Sequence, residues 1–540
     1  MLDFKVDKWE IVRKSVTEAD YRATAKANDI EIEVKGHLEY DGMLFFNVVL
    51  KSKRKITVDE MNVVFPFKKE CSELFAFTES TGAGQGSKHY YGRTPEKKTS
   101  YPFLPFFWIG DKDRGMLIFS ESVENWFRSA PEKAVSVEKT ADNVRLAYHI
   151  IGRKTALDGK KEISFGIQAS PVRPRPQKWR ELETRYTFVP TNMKYFAYVP
   201  NASDAALKVL ERAKNTNKLT SAYSFLNNVS TSLAEYNLFF DDWKREESQK
   251  KGEFYLDVVA PNIKSWQDFA VYSYVLGMQK YGLNGIYYDL AWPTPSKNLR
   301  HGGFINEFGK PEAKWPIFAA RTIAKRAYTE FRKHNKETVF TGHVSSNAIV
   351  MPITAFCDLL LEGEQYAGIL YSYIEQIPEE RALTEFTGRQ FGSPILFLPE
   401  LAKSGNANYS NKTPEPTIEM VSICYLYDML IWPLFCHSGT YAKFRAPHTK
   451  FVKNSDVEFL PYWEKNHGIS ASNPNIKISV YRKKGELLAA VVNLSANSEN
   501  TKVVIPGKYS SVKDAVSGEK ISLDNINVSA KSLRLLLFKE

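Results

Sequence analysis

Asp289 closes the apolar run Gly285-Ile286-Tyr287-Tyr288 and is followed by Leu290-Ala291-Trp292-Pro293. The run is short and rich in β-formers, and an amphipathic segment at 265–281 precedes it. That order reads as helix, turn, buried parallel strand, and a carboxylate held where the strand ends. A bare carboxylate inside a buried strand is costly. At the C-terminal mouth of a barrel it stands in the usual catalytic position. Farther on, Asp358-Leu359-Leu360-Leu361-Glu362-Gly363-Glu364-Gln365-Tyr366 sets Glu362 and Glu364 at the end of a second apolar run. Two carboxylates on neighbouring walls of a mouth are what cleavage of a glycosidic bond requires. One acts as nucleophile or base and the other as general acid, and a separation of about 5–5.5 Å or about 6.5–9.5 Å decides retention or inversion. Asp289 is read as the nucleophile and Glu364 as the acid/base. Glu362 stands as the substitute for either, or as a group that orients its neighbours.

Substrate-binding roles are expected for residues at the same strand ends. Tyr288, Trp292 and Trp243 offer aromatic surface, with Tyr287 and Trp432 beside them. His343 and Asn347 follow the fifth candidate strand, Glu400 follows the seventh, and Arg300 and His301 lie on the loop after Asp289. Asn262 follows the third candidate strand and His437 the eighth. The set is rich in carboxylates and amides. The four cysteines, Cys71, Cys357, Cys424 and Cys436, show no CxxC spacing. No zinc site, disulfide framework, metal or cofactor is therefore expected.

The elements that must position these groups fall into three expected domains, at 1–185, 186–465 and 466–540. The first alternates with period two at 30–34, 43–50, 61–67, 116–119, 135–138, 144–151 and 163–168, the pattern of an all-β sandwich. Pro171-Val172-Arg173-Pro174-Arg175-Pro176 then reads as a stiff extended linker. The second domain alternates strand and helix. Its expected strands are 195–199, 219–225, 254–259, the run ending at Asp289, 338–342, 357–361, 395–398 and 434–437. Helices are expected at 203–214, 265–281, 315–334 and 418–430. Eight such units fit a (β/α)₈ barrel, and no GxGxxG or P-loop follows any strand to favour an open sheet. Period two returns at 476–481, 487–493, 503–505 and 533–538, a small antiparallel β-domain.

Composition narrows the partners. The 43% hydrophobic and 25% charged residues are those of a globular protein, and 13% aromatics suit sugar-stacking platforms as well as large cores. The net charge of +11 is spread without a long basic run or a nucleic-acid motif, which favours an acidic or sulfated glycan over nucleic acid. No segment has the length of a membrane-spanning helix, and no signal-peptide core is seen at Met1-Leu2-Asp3-Phe4-Lys5.

Several motifs together resemble a group of bacterial proteins described as glycoside hydrolase family 123-like, found in polysaccharide-utilising bacteria. They are Arg300-His301-Gly302-Gly303-Phe304, Lys314-Trp315-Pro316-Ile317 with Arg321 and Lys325-Arg326-Ala327-Tyr328, and Gly342-His343-Val344-Ser345-Ser346-Asn347. Phe356-Cys357-Asp358 and Gly363-Glu364-Gln365-Tyr366 belong with them, as do Phe107-Trp108-Ile109-Gly110-Asp111 and Gln168-Ala169-Ser170-Pro171-Val172-Arg173-Pro174. The resemblance implies a sandwich, a barrel and a C-terminal β-domain acting on glycans in the periplasm or outside the cell. Family 123 enzymes proper resemble one another in an adjacent Asp-Glu pair that works with the substrate's acetamido group. Here Leu290 follows Asp289, so that pair is missing. Gly303 and Asn306 stand where the group carries Cys and Asp. The layout looks closer to α-galactosidase-type barrels. The resulting expectation is an exo-acting, retaining glycosidase. Two alternatives stand beside it: a carbohydrate-binding protein with a decayed site, and a polysaccharide lyase working through Tyr288 or His343.

Overall fold

The computed structural model describes residues 5–79, 88–251, 254–345, 349–366, 371–406, 408–453 and 456–540. By contact density the chain divides into two units. The first comprises Met1–Pro174, Thr187–Asp358 and Arg389–Gly392, and the second Arg175–Tyr186, Leu359–Gly388 and Ser393–Glu540.

In the first unit the period-two segments form a nine-stranded sheet and a four-stranded sheet. The larger is built on the long pair Met43–Val58 and Thr155–Ser170, and the smaller on Met61–Lys68 and Asn143–Ile151. Their inward residues share one core, with Phe107 and Ile118 from one sheet meeting Val135, Leu146 and Tyr148 from the other. This is the face-to-face packing expected of alternating strands.

The same unit carries parallel strands Leu219–Phe225, Gly285–Asp289 and Thr341–His343. Helix Lys264–Tyr281 runs into the middle strand through Gly282, whose φ of 66° ends the helix in the left-handed turn glycine accepts without strain. Helix Ile317–His334 buries Ile317, Ala320, Ile323, Ala324, Ala327 and Phe331, the spacing read from the sequence.

Three of the expected barrel strands differ. Residues 195–199 form no strand. Asn192 instead caps a tight turn at Met193–Tyr195, and Ala197 takes a φ of 75°. Phe254–Val259 is a strand, but it pairs antiparallel with Asn228–Ser230 and with the charged ribbon Lys244–Lys251 in a sheet of its own. Pairing with that ribbon and with Asn228–Ser230 takes Phe254–Val259 out of the parallel array. Residues 434–437 are not a strand either. The short strand is Leu430–Ile431, after which Pro433 and a φ of 61° at Phe435 stop the ladder.

The second unit has its own parallel strands, Leu359–Glu362, Ile395–Phe397 and Leu430–Ile431. It also holds a five-stranded antiparallel sheet that includes Ile476–Lys483, Glu486–Asn493 and Ser532–Lys539. Helix Pro414–Leu426 lies against that sheet, where Tyr481 donates to the Tyr425 carbonyl at 2.9 Å and Ser479 to the Leu426 carbonyl at 2.8 Å. The fold is multidomain and mostly β, with parallel strands and helices of half-barrel type.

Several sequence motifs prove to be structural braces inside the first unit. Arg321 is buried and donates to Asp41 at 2.9 Å, to Glu39 at 2.8 Å and to the Pro352 carbonyl at 2.9 Å, while Gln168 donates to Asp41 at 2.9 Å. Burial works to raise the Glu39 carboxyl, but Arg321 and Lys325 outweigh it and hold it below the usual range. Removing one member of a buried ion cluster leaves the others uncompensated. Arg321→Met is expected to destabilise the chain by about 3–5 kcal/mol, read as a lowered midpoint in urea unfolding. Arg173 of the proline-rich stretch donates to Tyr328 at 2.9 Å and pairs with buried Asp358 at 3.3 Å. Asp358 also accepts from the Phe340 amide at 2.8 Å.

Candidate active site

Asp289 ends its strand with its carboxylate fully engaged. Tyr223 donates to one oxygen at 2.5 Å. His343 Nδ1 lies 2.6 Å from the other, which also accepts from the Leu290 amide at 3.0 Å. Sheet register explains the convergence. Tyr223 stands opposite Tyr287 and Phe225 opposite Asp289, so the alternation of side chains places Tyr223, Tyr287 and Asp289 on one face. The Tyr223 and Tyr287 rings stack at 5.3 Å, and Tyr287 lies 6.1 Å from the His343 ring. Leu290 then turns the chain away with a φ of 51°.

Burial pushes the Asp289 carboxyl up, while the His343 contact first and the Tyr223 hydroxyl after it pull it down. The net result is a carboxyl held below its usual range. The group is 18% exposed. It is thus an ionised, oriented carboxylate with limited access to solvent. Nδ1 faces the carboxylate and donates to it, which fixes the orientation of the imidazole ring. Replacing His343 with Phe removes the largest pull toward the anion while burial remains. The acid limb of the pH–rate profile should therefore move to higher pH, with kcat falling about tenfold to a hundredfold. A limb that stays in place in His343→Phe contradicts this account of Asp289.

The same alternation corrects one expectation. Tyr288 faces the opposite side of the strand and is fully enclosed near Tyr274 and Phe340. It has no surface for a substrate, and burial raises its hydroxyl well above the ordinary value. Trp243 is likewise fully buried, donating to Ser265 at 2.8 Å and packed on Trp266 and Phe269, so it serves the core and not a sugar. Trp292 packs against Trp315 at 6.0 Å with 7% of its surface exposed. Asn347 lies outside the described residues.

Arg300 is exposed on a turn capped by Asn298, and His301 is buried beside it. Gly303 is tightly enclosed, since a Cβ there would sit 2.3 Å from the Lys297 carbonyl oxygen. A cysteine at this position would require the loop to shift. Asn306 closes the hairpin Phe304–Ile305/Pro311–Glu312, accepting from the Phe308 and Lys310 amides at 2.9 and 3.0 Å.

In the second unit Glu362, Glu364 and Glu400 occupy two small networks. Glu362 is fully buried at the end of its strand. Gln365 donates to it at 2.8 Å, and Arg381 lies 3.8 Å away and 3.9 Å from buried Glu385. Gly363 takes a φ of 115°, and a Cβ there would meet the Leu398 carbonyl oxygen at 2.6 Å. That turn lets Gln365 reach back to Glu362, which gives the Gly-Glu-Gln run its physical reason. Glu364 is 40% exposed and lies 3.6 Å from Lys403, which also pairs with buried Glu400 at 2.9 Å. His437 caps helix Ser438–Val452 through Thr440. Among the described residues no group of three or more His, Cys, Asp or Glu is placed to hold a metal ion.

Tyr223, Lys403 and Arg381 were not among the residues expected from the sequence. Tyr223 had a signal, since it sits two residues before Phe225 in a strand already expected beside that of Asp289. Lys403 and Arg381 are in short helical turns with no periodic signature.

Comparison with known proteins gives a family match and a likeness of fold. Residues 2–124 match the family described as glycoside hydrolase 123, third domain. No curated protein matches the chain. Among solved structures, the galactosidase domain of the α-galactosidase–sucrose kinase AgaSK is similar over 100% of this chain and 86% of that one, with a TM-score of 0.52 and 8% identity. An α-galactosidase from Lactobacillus brevis is similar over 100% and 86%, with a TM-score of 0.51 and 8% identity. At such identities the likeness is one of fold. The family match supports a glycosidase. No helix among the described residues is long and apolar enough to cross a membrane.

Proposed function

We propose that the chain is an exo-acting, retaining glycoside hydrolase with Asp289 as nucleophile and Glu364 as acid/base, Glu362 being the substitute for either. The observation that carries this reading is the state of Asp289. It is an ionised carboxylate at the end of a parallel strand, oriented by Tyr223 and His343, which is the form a glycosyl acceptor needs. The match to a glycosidase family supports it. In this reading the parallel strands belong to a (β/α)₈-type catalytic domain, and the enzyme works on glycans outside the cytoplasm. The net charge of +11 favours an anionic or sulfated substrate.

A panel of aryl glycosides and acidic oligosaccharides tests the reading, with released monosaccharide as the readout. Turnover of one or more, with the anomer retained in the first-formed product, is the expected result. Binding without product over long digestion would instead mark a carbohydrate-binding protein with a decayed site. A lyase is the second reading favoured by an observation, since the 2.6 Å Asp289–His343 contact also suits His343 as a proton-abstracting base. Ultraviolet-absorbing unsaturated products distinguish it. Enclosed Tyr288 has no part in either reading.

A further inference from the structure

Within the first unit lies a cavity of about 330 Å³ that Asp289 does not line. Its walls include Glu121, Asn262, Gln267, His301, Lys314 and Phe318. The volume is at the small end of ligand pockets. Asn262 lies just before helix Lys264–Tyr281 and Gln267 in its first turn, and Phe318 is in the first turn of helix Ile317–His334. Glu121 is fixed in place by the Phe318 amide at 3.0 Å and by Lys314 at 3.8 Å. Gln267 uses its amide nitrogen on the Pro261 carbonyl at 2.9 Å.

His301 is the unusual member. Only 6% of it is exposed, and both ring nitrogens are buried without a protein partner in hydrogen-bond geometry. The Asp242 backbone carbonyl lies toward the ring and favours its charged form, outside good hydrogen-bond geometry. Buried imidazole nitrogens are normally hydrogen-bonded, and an orphaned one in a polar cavity points to a ligand. Desolvation disfavours the charged form of both His301 and Glu121, lowering the one and raising the other. Lys314 and Glu121 face each other across the wall and offset each other's charge, so the cavity suits a neutral guest with many hydroxyls, met by amides, an imidazole and this pair.

We infer that this cavity is a second saccharide site, which takes one neutral pyranose ring through Asn262, Gln267, His301 and Glu121 with Phe318 as its apolar wall. The choice of a sugar rests on the glycosidase reading; the existence of a polar ligand site rests on the cavity itself.

The test is calorimetric titration of galactose, glucose and N-acetylgalactosamine, with glucuronate as the anionic comparison. The titrated proteins are the full chain, its Asp289→Ala variant and the double variant Asn262→Ala/Gln267→Leu. Neither residue of the double variant is fully buried, and an unchanged circular dichroism melt verifies its fold. Millimolar binding of at least one neutral sugar is expected, retained in Asp289→Ala and weakened at least tenfold in the double variant. The inference is overturned if no neutral sugar binds, if the double variant binds equally well, if Asp289→Ala abolishes binding, or if glucuronate is preferred. Binding without hydrolysis in the glycoside panel would sink the glycosidase reading and leave this site standing. Hydrolysis without this binding would do the reverse.

Discussion

Asp289→Ala should lower kcat by roughly 10³-fold or more, about 4 kcal/mol of lost transition-state stabilisation, with the fold retained. The loss is large because no neighbour can take over. Tyr223 and His343 act on the sugar through the carboxylate they hold, and with it gone they present a phenol and an imidazole to each other. The same substitution removes the acceptor that part-buried Tyr223 and buried His343 share, which costs about 1–3 kcal/mol of stability. Asp289→Asn preserves the shape and keeps one oxygen for Tyr223 or His343. It should recover most of that stability and none of the turnover. Measuring both variants separates chemistry from folding. Near-normal hydrolysis by either removes Asp289 from the nucleophile's role.

The second large effect concerns the acid/base. Glu364→Gln should reduce hydrolysis of substrates with poor leaving groups by about 10²–10⁴-fold, while activated aryl glycosides keep much of their glycosylation rate. That split arises because a good leaving group departs without a proton. Glu364 is the partly exposed member of the pair and shares Lys403 with Glu400, whereas Glu362 is fully enclosed with Gln365 and Arg381. Glu362→Gln, in contrast, disturbs a buried network beside Arg381 and should reduce stability and turnover of all substrates together. If the leaving-group dependence appears in Glu362→Gln and not in Glu364→Gln, the two roles are exchanged.

What was readable in the sequence divides along physical lines. Elements with a long, unbroken period were readable. The strands of the N-terminal sheets, the helix stripe from Ile317 to Phe331 and the strand ending at Asp289 stand where apolar spacing put them. Elements whose identity depends on a partner were not. Phe254–Val259 looks like any buried strand until the charged ribbon Lys244–Lys251 claims it. The last parallel strand is only Leu430–Ile431, too short for a period to register.

The site follows the same rule. Asp289 and His343 were each visible as a polar residue ending an apolar run, but their contact depends on register across the sheet. Tyr288 could have been set aside at once, since neighbours in a strand face opposite sides and Asp289 had already claimed the mouth. Tyr223 could have been found by the same reasoning. Trp243 could not, because its burial comes from Trp266 and Phe269, on a helix after the intervening ribbon. Lys403, drawn to Glu364 and Glu400, was hidden for a similar reason.

As nucleophile, Asp289 becomes covalently bonded to the sugar during turnover. A 2-deoxy-2-fluoro glycoside with a good leaving group, chosen to match the sugar the panel identifies, slows breakdown of such an intermediate. Peptide mapping by mass spectrometry after brief incubation should then show one added fluorosugar on the peptide bearing Asp289, absent from Asp289→Asn. A label on Glu362, Glu364 or Glu400, or full turnover with no label and inverted product, would contradict the account.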